Sequence, residues 1–138
     1  MQAALAEVPQ DALVVLVHDA ARPLVGDEVI ERVLAALGEG FDGAVPGLPV
    51  PDTLKRVDRG VVVETVQRND VVGVQTPQAF TSAALRTAFT GELGGATDCA
   101  SLVERSGGRV RVVEGDPRLL KVTTPDDLDL VERLLADG

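Results

Sequence analysis

The sequence predicts an α/β fold, and three features of its apolar residues support this prediction. The first is the continuous apolar run ALVVLV at residues 12–17, whose valine-rich composition is typical of a strand covered on both faces, as in a parallel sheet. The second is residues 27–37, where apolar side chains recur at helical spacing after two acidic residues that suit a helix N-terminus. The third is the alternation of strand-like and helix-like segments along the rest of the chain, which indicates a layered architecture.

Six further strands are predicted after this first helix. They occupy residues 43–50, 53–57, 61–66, 71–75, 110–113 and 120–122. Pro46 and Pro49 interrupt the first of the six, and Pro77 stops the fourth. Asp58-Arg59-Gly60 joins the second and third, a pattern typical of a hairpin with a short loop.

Three further helices are predicted, and capping or turn residues mark their ends. They occupy residues 82–89, 98–106 and 125–135. Gly107-Gly108 ends the second of them, while Thr124 suits the N-cap of the third, with Pro125 at its first position. The apolar residues at the start of the chain resemble the last turns of a helix that precedes the first strand.

The composition excludes several classes of function. The formal net charge is -9 and the only aromatic residues are three Phe, so we expect neither a basic nucleic-acid surface nor a base-stacking platform. No apolar run approaches the roughly 20 residues of a membrane span. The single cysteine, Cys99, provides neither a disulfide nor a zinc site, which predicts a reducing, cytoplasmic location. In so acidic a chain, a phosphate site must be a local cluster of Arg and Lys.

Asp19 and Arg22 are the first candidates for a binding site. They follow the predicted strand at residues 12–17, and ligands of open α/β sheets bind beyond the carboxyl ends of strands. The carboxylate could bind a metal ion or a ribose hydroxyl, and the guanidinium could bind a phosphate. A structural explanation is equally good, in which Asp19 caps a turn and Arg22 is exposed to solvent. His18 is assigned no role.

The charged residues of the predicted hairpin have a simpler explanation. Lys55, Arg56 and Arg59 are best understood as charges that keep an exposed ribbon from aggregating. Arg68 lies where the hairpin ends, before Asn69, and has a stronger case for a functional role.

Three polar segments later in the chain are also candidates. Gln75-Thr76-Pro77-Gln78 is predicted as a polar loop. Thr97 is better explained as a helix N-cap than as a ligand group. Lys121, inside a short apolar strand before a helix, suits phosphate binding, although it could be an edge-strand charge. Cys99 is predicted to be a small packed residue, not a nucleophile.

These segments occur in a recognisable order. The motifs are VHDAARP, PDTLKR, TVQRN, QTPQAF, TDCAS and LKVTTPDDL, and together they extend along nearly the whole chain. In this order they resemble the C-terminal portion of the 2-C-methyl-D-erythritol 4-phosphate cytidylyltransferase family. VHDAARP, QTPQ and KVTTPDDL are the specific part of the resemblance, because the other motifs are weak when taken singly.

The resemblance implies an enzyme that joins CTP to methylerythritol phosphate and releases pyrophosphate. The reaction is a step of non-mevalonate isoprenoid synthesis, and it requires a divalent metal, usually magnesium. The implied fold is a Rossmann-like nucleotidyltransferase sheet with a protruding β-hairpin arm, formed by about residues 50–68 within one domain of residues 1–138. The family exchanges this arm in a homodimer, so a second copy of the chain is the expected partner.

The family's pattern also assigns roles to particular residues. Arg68 and Lys121 would be the catalytic pair that positions the sugar phosphate for attack on CTP. Thr53 and Arg68 would reach across the dimer. No metal ligand is assigned.

The remaining assignments concern substrate binding. Asp19, Ala20 and Arg22 would lie between the nucleotide and the sugar alcohol. Thr76 and Thr97 would hydrogen-bond the methylerythritol part of the substrate.

Two departures from the family's pattern lead to further expectations. Cys99 stands where the family usually has an acidic residue. The Gly-rich loop, with its Arg and Lys, that wraps the CTP phosphates in the family has no counterpart, so we expect an N-terminally truncated fold that is inactive by itself. The alternatives are another sugar-phosphate nucleotidyltransferase, a bifunctional enzyme, or an inactive dimerisation or regulatory remnant.

Overall fold

A computed structural model describes residues 1–138 as an α/β fold, which confirms the predicted class. The strands are β1 (Val14–Val17), β2 (Gly43–Pro49), β3 (Leu54–Asp58), β4 (Val61–Val66), β5 (Val72–Val74), β6 (Gln78–Thr81) and β7 (Val110–Glu114). The helices are α1 (Gln2–Ala6), α2 (Asp27–Gly38), α3 (Ser82–Ala88), α4 (Cys99–Arg105) and α5 (Pro125–Ala136). None of the helices is long and apolar enough to cross a bilayer.

The main sheet has five strands and is mixed. β1 pairs antiparallel with β6, which pairs antiparallel with the start of β2. β5 continues the same side of β2, and β7 pairs with β2 in parallel on the other side. The apolar run at residues 12–17 predicts a strand covered on both faces. In the structure one face of β1 packs on the core, through Val15 and Val17, whereas Val14 and Leu16 on the other face are 40% and 42% exposed because no core cluster covers them.

Helices cover both faces of the sheet. On one face, Val33 and Ala36 of α2 pack against Ala44 of β2 and Ala79 of β6. On the other face, side chains of β2, β6, α3 and α4 form the larger core cluster, whose members include Val45, Phe80, Leu85 and Val103. Neighbouring residues of β2 therefore point into different cores, as the alternation of a strand requires.

Pro46 does not interrupt β2, contrary to the prediction. The ladder partner of β2 changes here from β6, opposite Gly43 and Ala44, to β5, opposite Gly47. The N–H and C=O groups of one strand residue point to the same side. The Pro46 carbonyl accepts from Gln75 N, on the side of β2 where β6 and β5 lie. The proline nitrogen therefore faces the gap between β6 and β5, and the lack of an N–H there costs β2 no hydrogen bond of the ladder.

Two other predicted elements were wrong. Residues 78–81 form β6, although the sequence suggested only a polar loop before a helix. Residues 120–122 are not a strand, because the segment makes a single backbone bond to a neighbouring loop, from Val122 N to Ala21 O at 2.8 Å.

The helix caps are partly as predicted. Thr124 caps α5 within a capping box that also includes Asp127. Thr97 is not the cap of α4; its neighbour Asp98 takes that position, in a capping box with Ser101. Aspartate competes well for this position because its carboxylate accepts from the N–H groups of the first turn.

β3 and β4 form a two-stranded sheet of their own. Arg59 and Gly60 alone make the turn, with φ angles of 47° and 83°, so Asp58 belongs to the strand. Both turn residues have positive φ, as in the two-residue hairpin turns that match the twist of the strands. Valines on this ribbon are largely exposed, Val61 to 66%.

Candidate functional site

Three loops meet beyond the carboxyl end of β1. They are residues 18–23, residues 75–77 before β6, and residues 116–123 before α5. The first and third are joined by the bond from Val122 N to Ala21 O and by the Arg22 guanidinium, which donates to Leu119 O. These loops therefore place residues from distant parts of the sequence in one site.

Gln75 attaches the second loop to the third. Its side-chain amide donates to Asp116 O at 2.8 Å and accepts from Asp116 N at 3.0 Å. The side chain is only 7% exposed, and satisfying both polar atoms offsets the cost of burying them. The contact of Gln75 was not predictable from the sequence, since a glutamine beside a strand gives no signal for a partner so distant along the chain.

Asp19, Arg22 and Lys121 form the charged centre of the site. The Asp19 carboxylate oxygen Oδ2 lies 3.3 Å from Lys121 Nζ and 3.5 Å from Arg22 Nε. The contact with Nε has opposite charges but lacks hydrogen-bond geometry, so Nε is a buried donor without a hydrogen-bond partner. With two cations to one carboxylate, the cluster has a net positive charge inside an acidic chain, which suits a phosphate.

Thr76 lies beside this charged centre. Its hydroxyl accepts from Asp19 N at 3.0 Å and lies 3.1 Å from Nδ1 of His18. The peptide bond that follows Thr76, to Pro77, is cis. The structure thus brings Asp19, Arg22, Thr76 and Lys121 together, four of the predicted site residues.

The other predicted residues are not linked to this cluster by any hydrogen bond or ion pair within the chain. Arg68 donates instead to the carbonyls of Val50 and Pro51, at the base of the hairpin. Thr53 and Thr97 are exposed and their side chains make no hydrogen bond. Ala20 lies in the first loop and offers the site only its backbone.

Cys99 is packed, as predicted. It belongs to the larger core cluster, next to the N-cap Asp98. Burial raises the pKa of the Cys99 thiol, and the negative charge of Asp98 raises it further. Both effects disfavour the thiolate, so the residue is unsuited to act as a nucleophile.

No group of three or more His, Cys, Asp or Glu side chains in residues 1–138 is arranged to hold a metal ion. At the site itself, the carboxylate of Asp19 already faces two cations. These residues therefore do not fit a metal site of their own.

Comparisons with known proteins give a consistent result. The model of the family described as "IspD: 2-C-methyl-D-erythritol 4-phosphate cytidylyltransferase" matches residues 1–137. A protein of that description from Rubrobacter xylanophilus is 47% identical over 130 residues, which are 92% of this chain and 56% of the relative. A "Bifunctional enzyme IspD/IspF" from Clavibacter michiganensis is 48% identical over 99% of this chain and 33% of its own length.

The similarity extends to solved structures. The crystal structure of 2-C-methyl-D-erythritol 4-phosphate cytidylyltransferase from Thermus thermophilus superimposes with a TM-score of 0.82 at 39% identity. The match covers 97% of this chain and 66% of that one. The chain thus spans a little more than half the length of the curated monofunctional relatives it matches.

Proposed function

The chain belongs to the 2-C-methyl-D-erythritol 4-phosphate cytidylyltransferase family, and we propose that it takes part in the reaction for which the family is named. In that reaction the phosphate of methylerythritol phosphate attacks the α-phosphate of CTP, and pyrophosphate leaves. The product serves isoprenoid synthesis. No covalent intermediate on the enzyme is required, so the protein's task is to position two polyanions and stabilise the developing charge.

The cluster of Asp19, Arg22 and Lys121 is the observation that carries this proposal. Two cations held by one carboxylate at the end of a strand provide what a phosphate in an acidic protein requires. Lys121, which is about half exposed, would contact the attacking phosphate directly. Arg22 is more buried and would contribute positive charge to the site without contacting the phosphate through Nε, which is itself buried.

Asp19 would keep the two cations in place before substrate binds. The flexible side chain of Lys121 loses conformational entropy when its position is fixed. Because the ion pair with Asp19 already restricts this side chain, less entropy would be lost when substrate binds. Thr76 would then contact the methylerythritol part, and the Ala20 backbone would border the nucleotide. Thr97, exposed at the N-terminal side of α4, would contact the same substrate from its own loop.

The hairpin of β3 and β4 would act as a dimerisation arm. It pairs with no strand of the main sheet, and its valines are exposed, which suits a surface that a second copy of the chain covers. Arg68 and Thr53 lie at the base of this arm. Exchange of the arm between two copies would bring both residues to the partner's phosphate site, which explains why neither contacts Lys121 of its own chain.

Magnesium is the expected metal, but we assign it no residue of this chain. The charged centre has one carboxylate, and that group is committed to Lys121 and Arg22. When bound, the metal would supply neutralising charge to the CTP phosphates.

A chimera tests the proposed function. This chain would replace the matched segment of the Rubrobacter xylanophilus relative, whose remaining part would supply the residues that bind the CTP phosphates. We expect pyrophosphate release that requires both CTP and methylerythritol phosphate. A folded chimera without this activity would contradict the proposal, and equal activity with other sugar phosphates would favour the alternative nucleotidyltransferase.

A further inference from the structure

His18 connects two of the three loops that form the site. Its Nε2 atom lies 2.9 Å from the carbonyl oxygen of Arg22, and its Nδ1 atom lies 3.1 Å from the hydroxyl of Thr76. The first contact closes the turn that places Asp19 and Arg22, in which Arg22 N also donates to Asp19 O. The imidazole therefore contacts both the loop of residues 18–23 and the loop that carries Thr76.

These partners determine which nitrogen of the neutral ring carries the proton. A backbone carbonyl only accepts hydrogen bonds, so Nε2 must donate to Arg22 O. Nδ1 of the neutral ring is then unprotonated and accepts a hydrogen bond. Because this Nδ1 can only accept, the Thr76 hydroxyl 3.1 Å away must donate in the hydrogen bond between them.

The direction of this bond determines what Thr76 offers to a ligand. A threonine hydroxyl has one hydrogen to donate and two lone pairs to accept with. The hydrogen goes to His18 and one lone pair accepts from Asp19 N, so a single lone pair remains. A hydroxyl in this state binds a hydrogen-bond donor and repels an oxygen that only accepts.

We propose that His18 is a positioning residue that holds the Thr76 hydroxyl as a hydrogen-bond acceptor, so that this position recognises a hydroxyl group of the substrate and excludes its phosphate. The inference rests on the proposed function. It divides the site chemically: Lys121 and Arg22 attract the phosphate oxygens, and Thr76 receives a hydroxyl of the sugar alcohol. The substrate would thereby be bound in one orientation along the cluster.

Nuclear magnetic resonance of the ring nitrogens tests the first step directly on this chain. His18 is the only histidine, so selective ¹⁵N labelling gives one imidazole to assign. At about pH 8, where an ordinary imidazole is neutral, we expect the Nε2–H tautomer with Nδ1 unprotonated. Thr76→Val should change the Nδ1 resonance, while Thr76→Ser, which keeps the hydroxyl, should not. The proposal would be overturned by a ring that is mainly protonated on Nδ1, or by an Nδ1 resonance that does not change in Thr76→Val.

Two substitutions of His18 separate its contacts in the active chimera. In His18→Asn, an amide oxygen near the position of Nδ1 still accepts from Thr76 but cannot reach Arg22. In His18→Gln, the longer amide still donates to Arg22 but leaves Thr76 free. We expect His18→Gln to raise KM for methylerythritol phosphate by about tenfold, the size of one lost hydrogen bond, with little change in KM for CTP. His18→Asn should stay within about threefold of the parent.

The substitutions should not act independently. Once Thr76→Val has removed the hydroxyl, His18→Gln should raise KM no further. The proposal would be wrong if His18→Asn and His18→Gln raised KM for methylerythritol phosphate equally, or if the increases from His18→Gln and Thr76→Val multiplied in the double variant. Either result would show that His18 only supports the loop. An unsubstituted chimera without turnover would count against the proposed function alone, and the resonance experiment would still decide the role of His18.

Discussion

The ammonium group of Lys121 lies 3.3 Å from the carboxylate of Asp19, although one residue precedes the last helix and the other follows the first strand. The same carboxylate oxygen lies 3.5 Å from Arg22 Nε. A carboxylate shared by two cations holds both close together while leaving a net positive charge. Such an arrangement suits an anion without a prior change in the positions of these side chains.

Loss of either predicted catalytic cation should reduce activity steeply. In the active chimera, Lys121→Ala and Arg68→Ala should each reduce kcat/KM. The reduction should correspond to about 2–4 kcal/mol of lost transition-state stabilisation, by analogy with the loss of one donor to a reacting oxyanion. Arg59→Ala is the matched control, since Arg59 belongs to the same hairpin but lies at its turn, and it should change kcat/KM little. Equal losses from Arg59→Ala and Arg68→Ala would mean that the arm acts through folding.

The 138 residues on their own should have no cytidylyltransferase activity. None of them forms a Gly-rich loop with Arg and Lys around a triphosphate, so nothing would stabilise the charge on the leaving pyrophosphate. Pyrophosphate release from CTP and methylerythritol phosphate by the purified chain is the measurement. Turnover above that of a heat-killed sample would refute this prediction.

Gly43 should be intolerant of a side chain. A Cβ atom at this position would lie 2.8 Å from Cδ1 of Phe80, which is fully buried in the larger core cluster. Gly43→Ala should lower the free energy of unfolding by about 1–3 kcal/mol, the usual cost of overpacking. Gly38→Ala is the control, because nothing lies within 4 Å of the added atom, and its effect should be neutral or slightly stabilising. Denaturation in urea would compare them.

Asp127 should make the stability of the α5 N-terminus depend on pH in the acidic range. Hydrogen bonds from Thr123, foremost its backbone N–H, and from Thr124 lower the pKa of Asp127 to about 2. Because the folded pKa lies below the ordinary value of about 4, the stabilisation is complete above that value and disappears as pH falls through the folded pKa.

Asp127→Ala tests this dependence. The difference in Tm between the parent and Asp127→Ala should be largest above about pH 4 and should shrink toward about pH 2. Asp129→Ala, on the same helix beyond the first turn, should show no such trend. A Tm difference that stays constant over this range would contradict the assignment.

Cys99 should react slowly with alkylating agents while the protein is folded. Its thiol is buried and its pKa is raised, so both access and the thiolate fraction are reduced. With iodoacetamide at about pH 8, we expect a rate at least about tenfold below that of the same chain unfolded in urea. Similar rates in the two states would show that the α4 end of the core opens readily.

Much of the secondary structure was predictable because its signals are local. The run of valines before His18, the helical spacing from Asp27 onward and the Thr124 cap with Pro125 each depend on neighbours within a few residues. The failures were also local in origin. β6 is four residues long and follows Pro77, so it offered too few positions for an alternating pattern to be recognised.

Which candidate residues share a site was decided by the tertiary structure. The sequence by itself marked Asp19, Arg22, Thr76 and Lys121 as candidates, the first three because they follow predicted strands and Lys121 because it precedes a helix start. It could not show that β1 pairs antiparallel with β6, and that pairing brings Thr76 to His18 and Asp19. Contacts between residues so distant in sequence follow from how the layers pack and are absent from any local pattern. For that reason the structure alone revealed the role of Gln75 and the orientation of His18.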